Sequence, residues 1–382
     1  MSYTKIGFLP VDNGNMTFIK LNDVNETTIL YDMYIREKAT NPNDKTFDVL
    51  QYLKDNLKTD SKGRHFVDVF ILSHHDDDHI RGFENYFYTG DIKDIPDNTD
   101  KIYIKEIWGS SRFFKRASTY NKLEDGALAF NTEMRRRYEL HKEHKKIQEE
   151  GNRIIILGES EDDKTDHVED IVYKIGESIH MLNNRNLASK IDINILGPIE
   201  QQKNEADELY RRKNRGSVIL QINIKESYYT NQILLTGDAG ADVLEYMHDI
   251  YQKELNKFKY DILQAPHHCS KYSMFNKISE DECELSGKAY KMLSQVNPGA
   301  KIIASCTNFD KTSSLPPHEE ARKKYEDIVG KDKFLYTLGY ENGSEPIEFE
   351  LTGWGHKEIV KASKAKMTTA SAISVGEARG HG

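Results

Sequence analysis

Short apolar runs alternate with polar turns over the first seventy residues, and their spacing predicts strands over IGFLPVD, MTFIKL and TTILYDM, followed by a helix over FDVLQYLKDNL. The run VDVFILS, residues 67 to 73, is apolar through its middle, the pattern of a buried strand. Further strands are expected at KIYIKEIW, residues 101 to 108, and at NRIIILG. A second series begins with IDINILGP, residues 191 to 198, and continues through SVILQINI, residues 217 to 224, and NQILLTGD, residues 231 to 238, with ESYYT as a hairpin turn. DVLEYMHDIYQKEL and PHEEARKKYEDIV read as helices, the second with acidic residues in its first turn, and DILQAPHH and KIIASC read as strands. Strands alternating with isolated helices favour one compact α/β unit, expected over residues 1–358.

Two stretches depart from that alternation. Residues 119 to 150 include NTEMRRRYELHKEHKKIQEE, with few apolar anchors, which predicts an exposed helix or an arm facing substrate or a partner, within an insertion of about 110–165. The tail, 359–382, is rich in Ala, Ser, Gly and Lys, and low order is expected there, with a docked terminal helix or a partner peptide as the alternatives. Nothing approaches the roughly 20 apolar residues of a membrane span. MSYTKIGFLPVDNG has neither a basic n-region nor a small-residue cleavage site, so a cytoplasmic location is expected. Three cysteines, Cys269, Cys283 and Cys306, match no zinc-thiolate spacing and leave one over in any disulfide scheme, which agrees with a reducing compartment. The net charge of -9 argues against broad adhesion to nucleic acid but permits a local phosphate site, because bound cations add charge that the count omits.

The candidate chemistry begins at SHHDDDHIRG, residues 73 to 82, where the VDVFILS strand ends. In a sharp turn after a strand, His74, Asp76 and Asp78 share one parity, and His79 joins them as the chain enters a helix. Imidazole with carboxylate suits zinc, manganese or iron, whereas an all-oxygen calcium loop would not normally use two histidines. Two ions held close together need a bridging oxygen and ligands from elsewhere. LLTGD offers Asp238, and APHHCS offers His267 and His268, each just after a strand. His75 and Asp77 fall on the other face; Asp77 could accept the second N–H of a ligand imidazole. Asp32, closing ILYDM, could hold such an imidazole from below or simply cap its loop.

HHDDDHIRG resembles the HxDxDHxxG form of the metallo-β-lactamase hydrolase signature, in which an aspartate replaces the usual second histidine. That variant is similar to the one in the ComEC-like branch, the hydrolase domain associated with DNA-uptake channel proteins and their soluble relatives. FLPVDNGNMTFI, ILYDM, NRGSVIL, LLTGD and PHHCS resemble further elements of the family in the same order, so the resemblance spans roughly residues 4 to 345. It implies a four-layer αββα sandwich with two divalent ions, Zn or Mn, at one edge. Carried over where the letters match, His74, Asp76, Asp78 and His79 would be ligands, Asp238 would bridge the ions, and His267 would complete one coordination sphere, with His268 as the alternative inward imidazole. The chain departs from the family at Cys269, where glycine is usual, at VDNGN in place of VGQGD, and at His318, which Glu319 follows instead of proline. Cys269 could itself be a thiolate ligand.

The expected function is that of a metal-dependent phosphodiester hydrolase, a nuclease acting on DNA through hydroxide activated between two ions. Asp78 would belong to the catalytic set, and His268 or His318 would donate a proton to the leaving oxygen. Asn214, Ser217 and Ser270 would contact phosphate oxygens. Lys105, Arg112, Lys115 and Arg116 in EIWGSSRFFKRAS would line a strand groove, with the paired phenylalanines stacking on bases. A small-molecule or cyclic-nucleotide phosphodiesterase, needing only a short pocket, is the alternative. A non-catalytic module of the same fold would show lost ligands, whereas the candidate set is intact. The charged insertion could bind a regulatory protein partner.

Overall fold

The computed structural model describes residues 3–41, 43–114, 123–144, 149–158, 165, 167–199, 216–279, 282–310, 313–338 and 344–360. Every strand predicted from the apolar runs forms, and among the described residues they assemble into two large sheets, of 11 and 7 strands. The main path of the first runs through Gly355–Glu358, Ile347–Thr352, Thr4–Phe8, Thr17–Lys20, Thr28–Tyr31, His65–Ile71, Ile102–Ser110, Arg153–Leu157 and Val172–Tyr173. The second runs through Ser178–Ile179, Ile191–Gly197, Ile219–Glu226, Tyr229–Leu235, Tyr260–Gln264, Val296–Ala304 and Phe334–Tyr336. Each is antiparallel at one side and parallel at the other.

The strand period of two sorts each strand's side chains into separate cores. Val69 and Ile71 of one sheet meet Ile222, Ile233 and Ile262 of the other in a core between the sheets. Phe70 and Leu72, of the opposite parity, point the other way, toward Leu53, Ile80, Phe130 and Met134 of the helices covering the first sheet. On the far side, Leu234, Leu263 and Ile302 pack against Leu244, Met292 and Tyr325 of the helices Ala241–Tyr251, Gly287–Leu293 and Glu319–Val329. The layers are therefore helix, sheet, sheet, helix, the expected αββα sandwich. His65–Ile71 lies between two parallel neighbours and is buried on both faces, which explains its unbroken apolar run.

The charged helix, Asp125–His144, corrects the expectation of an exposed helix. Ala127, Phe130 and Met134 bury it against the first sheet, and its buried charges satisfy one another. Arg137 donates to Glu133 Oε1 at 2.7 Å and to the carbonyls of Arg153 and Ile104 at 2.9 Å, while Arg136 also donates to Glu133. Most of the tail lies outside the described residues. No described helix is long and apolar enough to cross a membrane.

Candidate metal centre

The site forms where strands of both sheets end together. His65–Ile71 ends in Ser73 and His74, Tyr229–Leu235 leads to Asp238, and Tyr260–Gln264 leads to His267 and His268. Gly237, at φ 50°, lets these ends meet: a Cβ there would stand 3.1 Å from the Cβ atoms of both Ser73 and Ser217. The Gly237 carbonyl accepts the His267 N–H at 3.0 Å. On the near side, Gly82 at φ 85° closes the metal loop against the Ile35 carbonyl, only 2.5 Å from where a Cβ would lie.

Asp78, His79, Asp238 and His268 present one ligand atom each, all within 4.8 Å of one another. His79 Nε2 lies 3.1 Å from Asp238 Oδ1 and 3.3 Å from His268 Nε2, and His268 Nε2 lies 3.2 Å from Asp78 Oδ2. This group can coordinate a metal ion. On the other carboxylate oxygen a wider set gathers: Asp238 Oδ2 is 3.7 Å from His74 Nε2 and 3.6 Å from His267 Nε2, and His74 Nε2 is 3.9 Å from Asp76 Oδ2. Asp238 thus stands between two donor sets. The adjacent histidines diverge because both adopt left-handed backbone, with φ 51° at His267 and 52° at His268.

Three imidazoles are oriented from behind. His79 Nδ1 donates to Asp32 Oδ2 at 2.8 Å, His268 Nδ1 donates to the Ser305 carbonyl at 3.0 Å, and His74 Nδ1 lies 2.9 Å from Ser73 Oγ. Ser73 Oγ in turn donates to Asp32 Oδ2 at 2.7 Å. Each ring therefore turns Nε2 toward the centre, the arrangement that metal-binding histidines use to fix tautomer and orientation. The fit to a cation also shows in what stays unsatisfied: His74 Nε2 and Asp238 Oδ1 are buried without an aligned hydrogen-bond partner, although His79 Nε2 is within 3.1 Å of the latter. Such atoms are costly to bury unless something binds them.

The electrostatics agree. Burial opposes charge on His79, but the carboxylates of Asp238, Asp32 and Asp78 outweigh it and raise this imidazole well above its usual range. His268 is raised against burial by Asp238 and Asp78. Burial also opposes charge on Asp78 and Asp238, yet the neighbouring imidazoles, His79 foremost, hold both carboxyls below their usual range. His74 and His267 are lowered, chiefly by burial. The same carboxylates that would favour a cation favour the protonated form of His79 and His268.

The remaining candidates separate. Asp32 is the imidazole support, whereas Asp77 pairs with Arg81 and is corrected from that role. His268, expected as a proton donor, stands inside the four-donor group, while His267 faces the other Asp238 oxygen. His318 is corrected as a proton donor: Nδ1 accepts the Lys271 N–H and Nε2 donates to the Ser314 carbonyl, both at 3.2 Å, so the ring is spent on holding a loop. Ser217 and Ser270 are corrected as phosphate contacts. Ser217 is buried and its Oγ accepts the Asp238 N–H at 3.1 Å, and Ser270 is buried and accepts the Tyr272 N–H at 3.3 Å. Asn214, Lys115 and Arg116 lie outside the described residues.

The proposed groove does not assemble from its described members. Lys105 lies over the Phe66 ring and pairs with Glu150, Arg112 donates to the Ile199 carbonyl at 2.8 Å, and Phe113 is buried against Phe130. Cys269 is corrected as a thiolate ligand: it packs with Cys306 in the outer core of the second sheet, where burial pushes its thiol well above the usual range. Sequence reasoning missed Ser73, although it opens the quoted motif, and missed Asn131, which accepts from His75 Nε2 at 2.9 Å.

No family model matches the sequence, and no curated protein matches it. Among solved structures, an isothiocyanate hydrolase from Delia radicum gut bacteria is 13% identical, with 88% of this chain and 97% of that one covered at a TM-score of 0.37. A metal-dependent hydrolase of the β-lactamase superfamily is 12% identical, covering 92% and 100% at 0.39. A long form RNase Z from yeast is 12% identical, covering 91% of this chain and 42% of that one at 0.37. Likenesses this distant carry no argument about activity.

Proposed function

We propose that this chain is a divalent-metal-dependent phosphodiester hydrolase. The observation that carries the reading is the convergence of Asp78, His79, Asp238 and His268, with His74 and His267 on the second oxygen of Asp238. We assign the tighter set to one ion and His74, Asp76 and His267 to a second, with Asp238 between them. Ions held there would supply an activated water and positive charge opposite a phosphoryl group. The carboxylates of Asp76, Asp78 and Asp238 favour a hard ion such as manganese, and the imidazoles equally accept zinc. Asp32, Ser73 and the Ser305 carbonyl keep the imidazoles aimed, which lowers the reorganisation required when substrate arrives.

A nuclease acting on DNA is the form of this activity that the sequence resemblance supports. A small or cyclic phosphodiester is the second reading, favoured by the engagement of Lys105, Arg112 and Phe113 within the fold. The test is an activity panel with Mn, Zn and Mg on single- and double-stranded DNA, RNA, cyclic dinucleotides and bis-p-nitrophenyl phosphate, beside Asp78→Asn and Asp238→Asn. Metal-dependent turnover of a diester by the wild type, lost in both variants, is expected. Intact polynucleotides with turnover of small diesters would select the second reading. Inertness toward every diester would end the proposal.

A further inference from the structure

The loop that replaces the family's usual VGQGD with VDNGN has a role in the site that its letters do not announce. Asn13 uses both ends of its carboxamide. Oδ1 accepts from the Thr307 N–H at 3.0 Å and from Thr307 Oγ at 3.3 Å, and Nδ2 donates to the Pro316 carbonyl at 2.7 Å. Asn13 lies between the first sheet's strands Thr4–Phe8 and Thr17–Lys20, while Thr307 and Pro316 follow the second sheet's strand Val296–Ala304. One side chain therefore joins the two sheets at the mouth of the site.

Both ends of this clasp lead to donors of the four-residue group. On the near side, the Asn15 N–H donates to the Asp78 carbonyl at 3.1 Å, and Gly14 admits that carbonyl to 2.8 Å from where a Cβ would stand. On the far side, Ser305, two residues before Thr307, accepts from His268 Nδ1 at 3.0 Å. Pro316 lies two residues before His318, whose N–H donates to the Cys269 carbonyl at 3.1 Å and whose Nδ1 accepts from the Lys271 N–H at 3.2 Å. The peptides holding Asp78 and those holding His268 are thus tied through one amide, and the two ligand atoms stand 3.2 Å apart.

We propose that Asn13 is a positioning residue for the metal centre, setting the spacing of Asp78 and His268 by clasping the loops of the two sheets. The inference rests on the metal-binding reading above. The geometry calls for a donor and an acceptor on one short side chain: alanine supplies neither, and aspartate retains the acceptor facing Thr307 but sets a carboxylate against the Pro316 carbonyl.

The experiment uses the full chain, stripped with chelator and titrated with Zn²⁺ in competition with a chromophoric chelator, and separately loaded with Co²⁺ for its visible spectrum. Asn13→Ala is expected to weaken ion binding by about 10- to 100-fold, the range for supports behind metal ligands, and to shift the Co²⁺ bands; Asn13→Asp should fall between it and wild type. The control is Tyr229→Phe, which removes a 2.6 Å bond to Asp261 at the opposite ends of the strands that deliver Asp238 and His267. It should lower the melting temperature and leave affinity and spectrum unchanged. Wild type that binds no ion would sink the metal reading itself. Wild type that binds, with Asn13→Ala matching it in affinity and spectrum, would overturn the Asn13 proposal alone, as would an equal loss in Tyr229→Phe. If Asn13→Ala fails to fold, Asn13→Asp carries the test, and wild-type affinity there overturns the proposal.

Discussion

Asp32→Asn isolates one electrostatic support of the centre with little change of shape. Asp32 is fully buried at φ 57°, a conformation that asparagine also adopts readily, so the backbone is not the variable. Oδ1 accepts the Ser73 N–H at 2.7 Å, and Oδ2 accepts from Ser73 Oγ at 2.7 Å and His79 Nδ1 at 2.8 Å. Asparagine keeps one acceptor oxygen and turns an NH₂ toward two donors. The loss is one charge-assisted bond, about 1.5–3 kcal/mol, and one neutral bond, about 1 kcal/mol. Together the two losses come to about 2.5–4 kcal/mol.

The penalty should depend on pH in the metal-free protein. His79 is raised in the folded state, so its stabilisation is full below its unfolded pKa, roughly 6.5, and declines as pH rises toward the folded value. The variant should thus lose more at pH 6 than at pH 9. Urea unfolding in chelator at both pH values measures this, and a metal titration should show about 10- to 100-fold weaker binding. A loss below about 1 kcal/mol with unchanged affinity would refute the claim that Asp32 holds His79 for the ion.

Ion binding should displace protons, because neighbouring carboxylates raise His79 and His268 and both ligate only when neutral. Calorimetry at pH 7 in buffers of different ionisation enthalpy should report proton release, and affinity should rise with pH; equal heats after buffer correction for no release would contradict this. Gly82→Ala forces a left-handed alanine against the Ile35 carbonyl and should cost at least about 2 kcal/mol, read as a lowered melting temperature. Gly126→Ala gains about 1 kcal/mol of helix propensity but sets a Cβ 2.4 Å from the Ile80 carbonyl, so a net loss of stability is expected and a gain would count against close packing of the charged helix on the metal loop. Asp77→Ala removes only a half-exposed pair with Arg81 and should alter stability by less than about 1 kcal/mol and metal binding not at all; a tenfold loss of affinity would restore Asp77 to the support of a ligand.

The layers were legible because each strand carries a strong periodic or unbroken apolar run, and burial in the sandwich enforces it. VDVFILS announced a buried strand that delivers the motif at its C-terminal end. The charged helix was misread because its sequence displays charge but conceals pairing: Glu133, Arg136 and Arg137 look solvated until Arg153 and Ile104 supply carbonyls from neighbouring strands. The motif singled out His74, Asp76, Asp78 and His79, of which Asp78 and His79 enter the four-donor group and His74 and Asp76 lie beside it, but the division of labour between His267 and His268 depends on two consecutive left-handed residues that no periodicity forecasts. Ser217, Ser270 and His318 have the chemistry of substrate contacts, and only their hydrogen bonds reveal that they build the loops. Asn13 escaped notice because its partners, Thr307 and Pro316, lie far along the chain.

In the proposed reading, Asp238 stands between two ion-binding donor sets. Native mass spectrometry of the chain reconstituted with manganese or zinc, compared with Asp238→Asn, tests it most directly. Two ions per wild-type chain, with loss of at least one in the variant, are predicted. A wild type that retains no ion, or an Asp238→Asn variant that retains two with undiminished affinity, would contradict the account.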